Sequence, residues 1–359
     1  MRLASLLLAG VAVLAAQKVP PPPPPSPVGP TVKGPPIPGD ALGMSVQLAI
    51  TGRILLEDRQ APPEPVPVDY SCRGSTGTGL TDSKGRFSIP VGRQQAARTS
   101  LANALPDLGG CRVQVRILGF EDVVFTFHQV HALSDLNVGD LILKSAGAQG
   151  NAVFSTTARD APNKARGNYV RALQEIGANK YPEAVATLDK AVLLYPRYAT
   201  ALQLKGQLLE SMGQREAARA AYRQAVAADP AYCKPLVQLA EMAAEDQDAA
   251  EAARWAAMVN RLVPGAYPST YLIEGSAYFN LRRYEEAGKA AQAGIEADRT
   301  DFYPSLHRLL GEVLYQKRNY KEALEQFNRY LKDAPDAPDV EPIQERAESC
   351  KRLAQLTNK

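Results

Sequence analysis

The sequence predicts a multidomain protein in which an all-β sandwich precedes an all-α superhelix of paired helices, an α-solenoid. Two observations carry this prediction. Short apolar or alternating runs between turn residues fill residues 45–145, and small residues recur in one phase through residues 164–337. Strands at such intervals are typical of antiparallel sandwiches, and a period near 34 residues indicates stacked helix pairs.

Composition narrows the class of protein. The 359 residues are 45% hydrophobic and 22% charged, which excludes a wholly disordered chain and a multi-span membrane protein. The net charge is +3 without a basic cluster, so we expect no nucleic-acid partner. Three histidines and four cysteines supply a zinc site poorly, and we expect no cofactor.

Residues 1–16 predict a signal peptide. Arg2 precedes an apolar run that is too short to span a bilayer and ends in the small residues Ala15 and Ala16. The alternative is an uncleaved membrane anchor. We therefore expect an exported protein, periplasmic or secreted, with no transmembrane span in the mature chain.

Residues 17–44 predict a proline-rich linker. Six consecutive prolines run from Pro20 to Pro25, and proline favours extended polyproline II without a backbone donor. Such a tract is typical of a semi-rigid spacer. A ligand for an aromatic groove is the alternative.

The β region, residues 45–145, contains one well-defined predicted hairpin. Asp82 can accept hydrogen bonds from the turn backbone, and Gly85 can take a positive φ. Phe87 and Ile89 then share one face of the sheet, because side chains alternate along a strand.

The string Thr78–Gly92 resembles the hairpin of the carboxypeptidase regulatory-like fold, an immunoglobulin- or transthyretin-like β-sandwich. Thr51–Ile54, Leu118–Phe120 and Leu136–Leu141 match its other landmarks, whereas the insertion around 94–110 departs from it. The resemblance implies an accessory or adhesion domain without catalytic residues.

The predicted compartment determines which oxidation state we expect for the cysteines. Cys72 and Cys111 lie at the end and the start of strand runs, so an oxidising compartment favours a disulfide between them. Two buried reduced thiols are the alternative. We expect Cys233 and Cys350 to be unpaired. His128 and His131 would point to opposite faces of a strand, so no metal site is predicted.

A linker, residues 146–163, leads into the internal repeat. Its phase is set by alanines at intervals of 34, 34, 35 and 36 residues, and by a small residue twelve positions before each of them. The alanines are Ala184, Ala218, Ala252, Ala287 and Ala323.

The local phrases 180–184, 283–287 and 319–323 look like the tetratricopeptide repeat, with five copies over residues 164–337. Small residues let two antiparallel helices approach, and Tyr222 and Phe327 fill the space between them. Residues 338–359 predict an amphipathic helix that caps the last copy.

The resemblance implies a concave face lined by the first helix of each pair. Its mixture of aromatic, amide and charged groups suits a protein or peptide partner, although solvated surface is the alternative. The residues expected there include Tyr169, Gln203, Gln207, Lys234, Glu241, Leu272, Phe279, Asn280, Arg308, Tyr315 and Gln316.

We therefore predict an exported, non-catalytic scaffold that binds partners through this face. No nucleophile elbow, phosphate loop or zinc-protease motif is present, so we do not expect an enzyme. A carbohydrate- or cell-surface-binding protein that acts through the β domain is the alternative. The sequence leaves the partner, the pathway and the oligomeric state open.

Overall fold

In the computed structural model the chain forms two compact units. Along the sequence, the boundary between them falls between Met212 and Gly213. The predicted signal peptide and the whole predicted proline-rich linker belong to residues 1–44, outside the described residues. The structure describes residues 45–72, 75–95, 109–117, 120–128, 136–145, 153–299 and 302–357.

One sheet of the first unit is built around β1 (Ser45–Leu56). It pairs antiparallel with β4 (Arg86–Gln95) and parallel with β7 (Asn137–Leu143). The parallel pair differs from the purely antiparallel arrangement that the sequence predicts. It is possible because the chain passes through the other sheet between β1 and β7, which provides the long crossover that parallel strands need.

The other sheet has the order β3-β2-β5-β6 and is antiparallel throughout. The burial of β2 alternates strictly, as expected for a strand with one face in the core. Strands occur where the apolar runs predict them, and β3 is an additional strand in a glycine-rich stretch that the sequence does not predict to be one. The sandwich as a whole stays a prediction. The strands are β2 (Pro67–Cys72), β3 (Ser75–Leu80), β5 (Arg112–Val115) and β6 (Val123–Thr126).

The predicted turn chemistry at Asp82 and Gly85 is confirmed, but the predicted hairpin is wrong. The turn joins β3 of one sheet to β4 of the other, and these strands pair with β2 and β1 instead of with each other. Asp82 Oδ1 accepts hydrogen bonds from the backbone N–H groups of Lys84 and Arg86, at 2.8 and 2.9 Å. Gly85 has φ of 75°, and a Cβ at this position would collide with the Ile54 carbonyl oxygen. The side chains of Phe87 and Ile89 are both buried.

A disulfide joins the two central strands of the second sheet. Cys72 ends β2 and Cys111 directly precedes β5, and their Cα atoms lie 4.4 Å apart. Cys233 and Cys350 are buried free thiols.

Three helices complete the first unit after a short 3-10 turn, Thr156–Ala158. They are α1 (Asn163–Gly177), α2 (Tyr181–Leu194) and α3 (Ala199–Ser211). Ala172 and Ala184 are completely buried between α1 and α2, so the small residues of the repeat lie at the contact that they were predicted to form.

The second unit is helical. Consecutive helices pack against one another, and the last helix packs on α10. Its helices are α4 (Arg215–Ala228), α5 (Cys233–Glu245), α6 (Ala249–Leu262), α7 (Pro268–Asn280), α8 (Tyr284–Ala297), α9 (Ser305–Gln316), α10 (Tyr320–Asp333) and α11 (Val340–Thr357).

The small residues of this unit are required by close contacts. A Cβ on Gly311 would lie 2.7 Å from the ring of Phe327, and one on Gly275 would lie 2.7 Å from Leu309. Phe327 and Tyr222 are completely buried, as predicted. These distances are shorter than van der Waals contact, so glycine is the residue that lets the helices meet.

The connection between α8 and α9 lacks the proline that follows the second helix of the other pairs. The repeat has Arg299 at that position, and the preceding Asp298 is buried. Its two carboxylate oxygens accept hydrogen bonds from the backbone N–H groups of Phe302 and Tyr303, at 3.1 and 2.6 Å. A side-chain acceptor therefore fixes a turn here without help from proline.

Candidate partner-binding surface

The residues assigned to the partner surface lie on five helices, each the first of a pair. Helices α1 and α3 belong to the first unit, and α5, α7 and α9 belong to the second. Within the second unit, α5 contacts α7 and α7 contacts α9. The first helices α5, α7 and α9 of the second unit therefore lie side by side.

The exposure of the assigned residues divides them into three groups. Tyr169 and Gln203 are buried, with 7% and 5% of their surface exposed, so they present little area to a partner. Gln207, Asn280 and Gln316 are exposed. The half-buried group contains Lys234, Glu241, Leu272, Phe279, Arg308 and Tyr315.

On α5 the polar residues are held by their neighbours. Gln238 Nε2 donates to Glu241 Oε2 at 3.0 Å, and its own Oε1 accepts from the Tyr222 hydroxyl at 3.4 Å. The Lys234 ammonium lies 5.6 Å from the centroid of the Tyr232 ring. These contacts restrict the side chains while leaving part of each one at the surface.

On α7 the aromatic residue is anchored by the following helix. The rings of Phe279 and Tyr284 meet edge to face with centroids 5.4 Å apart. Leu272 packs on the same cluster of buried residues. The inner face of α7 therefore has an apolar base, with Asn280 exposed at its end.

Helix α11 contacts the assigned residues of α9. The Arg346 guanidinium lies 4.7 Å from the centroid of the Tyr315 ring, and its Nε is 3.6 Å from Glu312 Oε1. Arg308 Nε is 3.4 Å from Asp339 Oδ2, just before α11. Burial raises the pKa of the Glu312 carboxyl, and the charges of Arg346 and Arg308 oppose that increase.

A polar network that sequence reasoning missed joins α6 to α7. Asn260 Nδ2 donates to Glu274 Oε2 at 2.7 Å, and the Thr270 hydroxyl donates to Asn260 Oδ1. Burial raises the pKa of the Glu274 carboxyl, although the hydrogen bond from Asn260 opposes this. No short motif marks these residues, because they come together only when the two helices pack.

The first unit covers its inner face with a segment of its own chain. Residues 60–65, which we call the strap, connect β1 to β2 and run past α1 and the start of α3. Glu64 Oε1 accepts hydrogen bonds from the Ser155 backbone N–H at 2.9 Å and from the Thr200 hydroxyl at 3.0 Å. Glu64 is 6% exposed, so this carboxylate is removed from water.

A cavity of about 230 Å³ lies between the strap and α1. Arg159 and Arg166 line it together with the rings of Tyr169 and Tyr198. Those rings have centroids 5.5 Å apart. Burial, supported by the negative charge of Glu64, raises the pKa of both tyrosine hydroxyls, so they stay neutral.

Family models identify the helical pairs. Models of the tetratricopeptide repeat match residues 199–232 and residues 273–338. The chain contains tetratricopeptide repeats. These matches include the pair α3 and α4, most of α7, and the helices from α8 to α10.

Several solved structures are similar to part of this chain. MamA from Desulfovibrio magneticus RS-1 is 17% identical with a TM-score of 0.42, over 50% of this chain and 99% of that one. YrrB, described as a tetratricopeptide repeat protein with an unusual peptide-binding site, is 19% identical with a TM-score of 0.45, over 55% and 97%. A tetratricopeptide repeat protein from Parabacteroides merdae ATCC 43184 is 14% identical with a TM-score of 0.43, over 54% and 75%. No curated protein matches the chain significantly.

The tetratricopeptide repeats of this chain carry a tyrosine series that sequence reasoning missed. Tyr198, Tyr232, Tyr267 and Tyr303 stand just before α3, α5, α7 and α9, at intervals of 34, 35 and 36 residues. The Tyr267 hydroxyl lies 3.6 Å from Cys233 Sγ, in the first turn of the preceding first helix. The same spacing that identified the alanines could have found this series.

The described residues offer little support for a metal site or a membrane-spanning helix. They contain no group of three or more histidine, cysteine or acidic side chains arranged to hold a metal ion. His128 is exposed, and His131 lies outside the described residues. His307 Nδ1 lies 2.7 Å from Gln326 Oε1. In the described part of the chain, no helix has both the length and the apolar character needed to cross a membrane.

Proposed function

We propose that this protein is an exported, non-catalytic scaffold whose tetratricopeptide repeats bind protein or peptide partners. The observation that carries the proposal is the inner face of α5, α7 and α9, where first helices of successive pairs adjoin. An apolar base at Leu272 with amide groups at its edge, Asn280 and Gln316, suits an extended peptide or a partner helix. Shape and mixed polarity of this kind are typical of interaction surfaces.

Position-dependent cross-linking tests this function. A photo-reactive residue is placed at Asn280 or Gln316 in the full chain, and as a control at Lys321, which is exposed on α10. We expect a defined cross-linked product from the first two positions and none from Lys321. Equal products from all three positions, or none from any, would contradict binding on the inner face.

A charge change on the same face provides a second test. Leu272→Asp should abolish the product formed from Gln316, because a carboxylate would replace the apolar base of the surface. The helical circular dichroism spectrum must be unchanged for the result to count. A folded variant that retains the cross-link would show that the partner does not use this face.

The export part of the proposal rests on the N-terminal sequence pattern, with cleavage expected after Ala16. N-terminal sequencing of the mature protein from the envelope or the medium tests it, and an intact Met1 would contradict it. The β region, residues 45–145, would serve as an accessory domain of the carboxypeptidase regulatory-like kind. This role is supported by the turn at Asp82 and Gly85.

A further inference from the structure

We propose that the face formed by α1 and α3 recognises a segment in which a carboxylate is flanked by prolines, and that the strap fills this site in cis. The inference rests on the proposed function, because it names the kind of peptide that one part of the repeat array accepts. Its observations come from the first unit alone, in which the strap and both helices are described.

The strap buries alternate residues against the surface that it crosses. Along it, Pro62, Glu64 and the following Val66 are buried, whereas Ala61, Pro63 and Pro65 are half-buried. The backbone bends at Pro63 and Glu64, so the strap is not a straight extended strand. Pro62 and Glu64 are the strap side chains that enter the surface, as side chains of a docked peptide enter a groove.

The site selects a carboxylate at its centre. Two donors converge on one oxygen of Glu64, the Ser155 N–H and the Thr200 hydroxyl. Ser155 and Thr200 are themselves buried, with 0% and 1% exposed, so water does not reach these two donors in place of the carboxylate. Arg159 and Arg166 line the adjoining cavity together with Asp82, and Arg159 Nη1 lies 4.0 Å from Asp58 Oδ2. Arg166 is therefore the charge that favours an anion over a neutral amide.

The site also suits prolines on both sides of that carboxylate. Proline has no backbone N–H, so it can be buried without leaving a donor unpaired. Pro62, Pro63 and Pro65 line the same cavity as the rings of Tyr169 and Tyr198. Aromatic-lined grooves bind proline-rich segments because these are already extended before binding.

Because the strap belongs to the same chain as the site, it has a concentration advantage over a partner that binds from solution. A short covalent connection holds a ligand at an effective concentration on the order of millimolar. A peptide in trans therefore competes poorly with the intact strap and binds well only when the strap is removed. The structure thus assigns the strap as a built-in competitor for partners of its own chemistry.

Peptide binding to the full chain tests the proposal. Residues 61–65 are replaced by glycine and serine at equal length, and binding of labelled Ala-Pro-Pro-Glu-Pro-Val is measured by fluorescence anisotropy. A second peptide carries glutamine in place of glutamate. We expect the acidic peptide to bind the strap-replaced chain about tenfold or more tightly than the glutamine peptide. The wild-type chain should bind the acidic peptide at least about tenfold more weakly than the strap-replaced chain.

Two threonine variants locate the site. In the strap-replaced chain, Thr200→Val should weaken the acidic peptide about tenfold, because it removes one donor. Thr76→Val, at an exposed position on β3, should leave binding unchanged. Equal binding of both peptides by a folded strap-replaced chain, or no binding of either, would overturn the proposal.

If the strap-replaced chain does not fold, Glu64→Gln in the full chain is used instead. This variant weakens only the central contact, so the acidic peptide should bind it more tightly than it binds wild type. Equal binding to the variant and to wild type would reject the proposal. The cross-linking from Asn280 and Gln316 uses the second unit, so its failure can be distinguished from failure of the strap site.

Discussion

Individual small residues determine how closely the paired helices approach. Gly311 faces the completely buried ring of Phe327, and Gly275 faces Leu309. The sequence pattern identified these positions because a small residue recurs in phase with the alanines. It could not reveal which side chain each glycine meets, since the two residues lie on different helices.

Gly311→Ala tests this contact at the scale of one residue. The new Cβ would lie 2.7 Å from the Phe327 ring, so we expect a loss of about 1–3 kcal/mol in the free energy of unfolding. Chemical denaturation followed by circular dichroism measures it. The matched control is Gly167→Ala in α1, where a Cβ meets nothing within 4 Å, and where alanine should stabilise by about 0.5–1 kcal/mol. Similar effects of the two substitutions would contradict the steric explanation.

At the scale of elements, the ends of the first helices share a backbone conformation. The second residue after each of them has a positive φ near 60–75°, namely Asn179, Gly213, Gln247, Arg282 and Arg318. Only one of these five is glycine, so residue type alone does not disclose the left-handed position. The geometry of the helix C-terminus imposes it, and the neighbouring backbone hydrogen bonds maintain it.

The contact between α9 and α11 makes stability depend on pH. Burial raises the pKa of the Glu312 carboxyl above the ordinary value of 4.5, so the folded chain holds its proton more tightly than the unfolded chain does. Stability attributable to this group is therefore full below pH 4.5 and decreases as the pH rises through the raised pKa. We expect the difference in unfolding free energy between wild type and Glu312→Gln to fall with pH in this window, by at most about 1.4 kcal/mol per pH unit.

Denaturation titrations between pH 4 and pH 8 measure that difference. Arg346→Met should make the wild-type slope steeper, because the Arg346 charge opposes the rise in the Glu312 pKa. A difference that is flat with pH, or that grows as the pH rises, would be inconsistent with a buried carboxyl beneath α11.

At the scale of the whole molecule, the number of free thiols tests both the disulfide and the proposed export. All four are described, with Cys72 and Cys111 joined and Cys233 and Cys350 free and buried. Protein recovered from an oxidising compartment should show two thiols per chain after denaturation and four after reduction. Titration with a chromogenic disulfide reagent counts them. Four thiols before reduction would contradict both the disulfide and the exported location.

The sequence by itself determined the order of the structural elements, because local hydrophobic pattern, turn residues and repeat spacing are written along the chain. It predicted the turn at Asp82 and Gly85 and the helix pairs of the repeats, but not that this turn joins strands of two different sheets. Only the tertiary structure decided that Glu64 reaches Thr200 across 136 residues, and that the strap covers the helices nearest the strands. Contacts between residues so distant in sequence leave no local periodicity, since they depend on the three-dimensional path of the chain rather than on neighbouring residues.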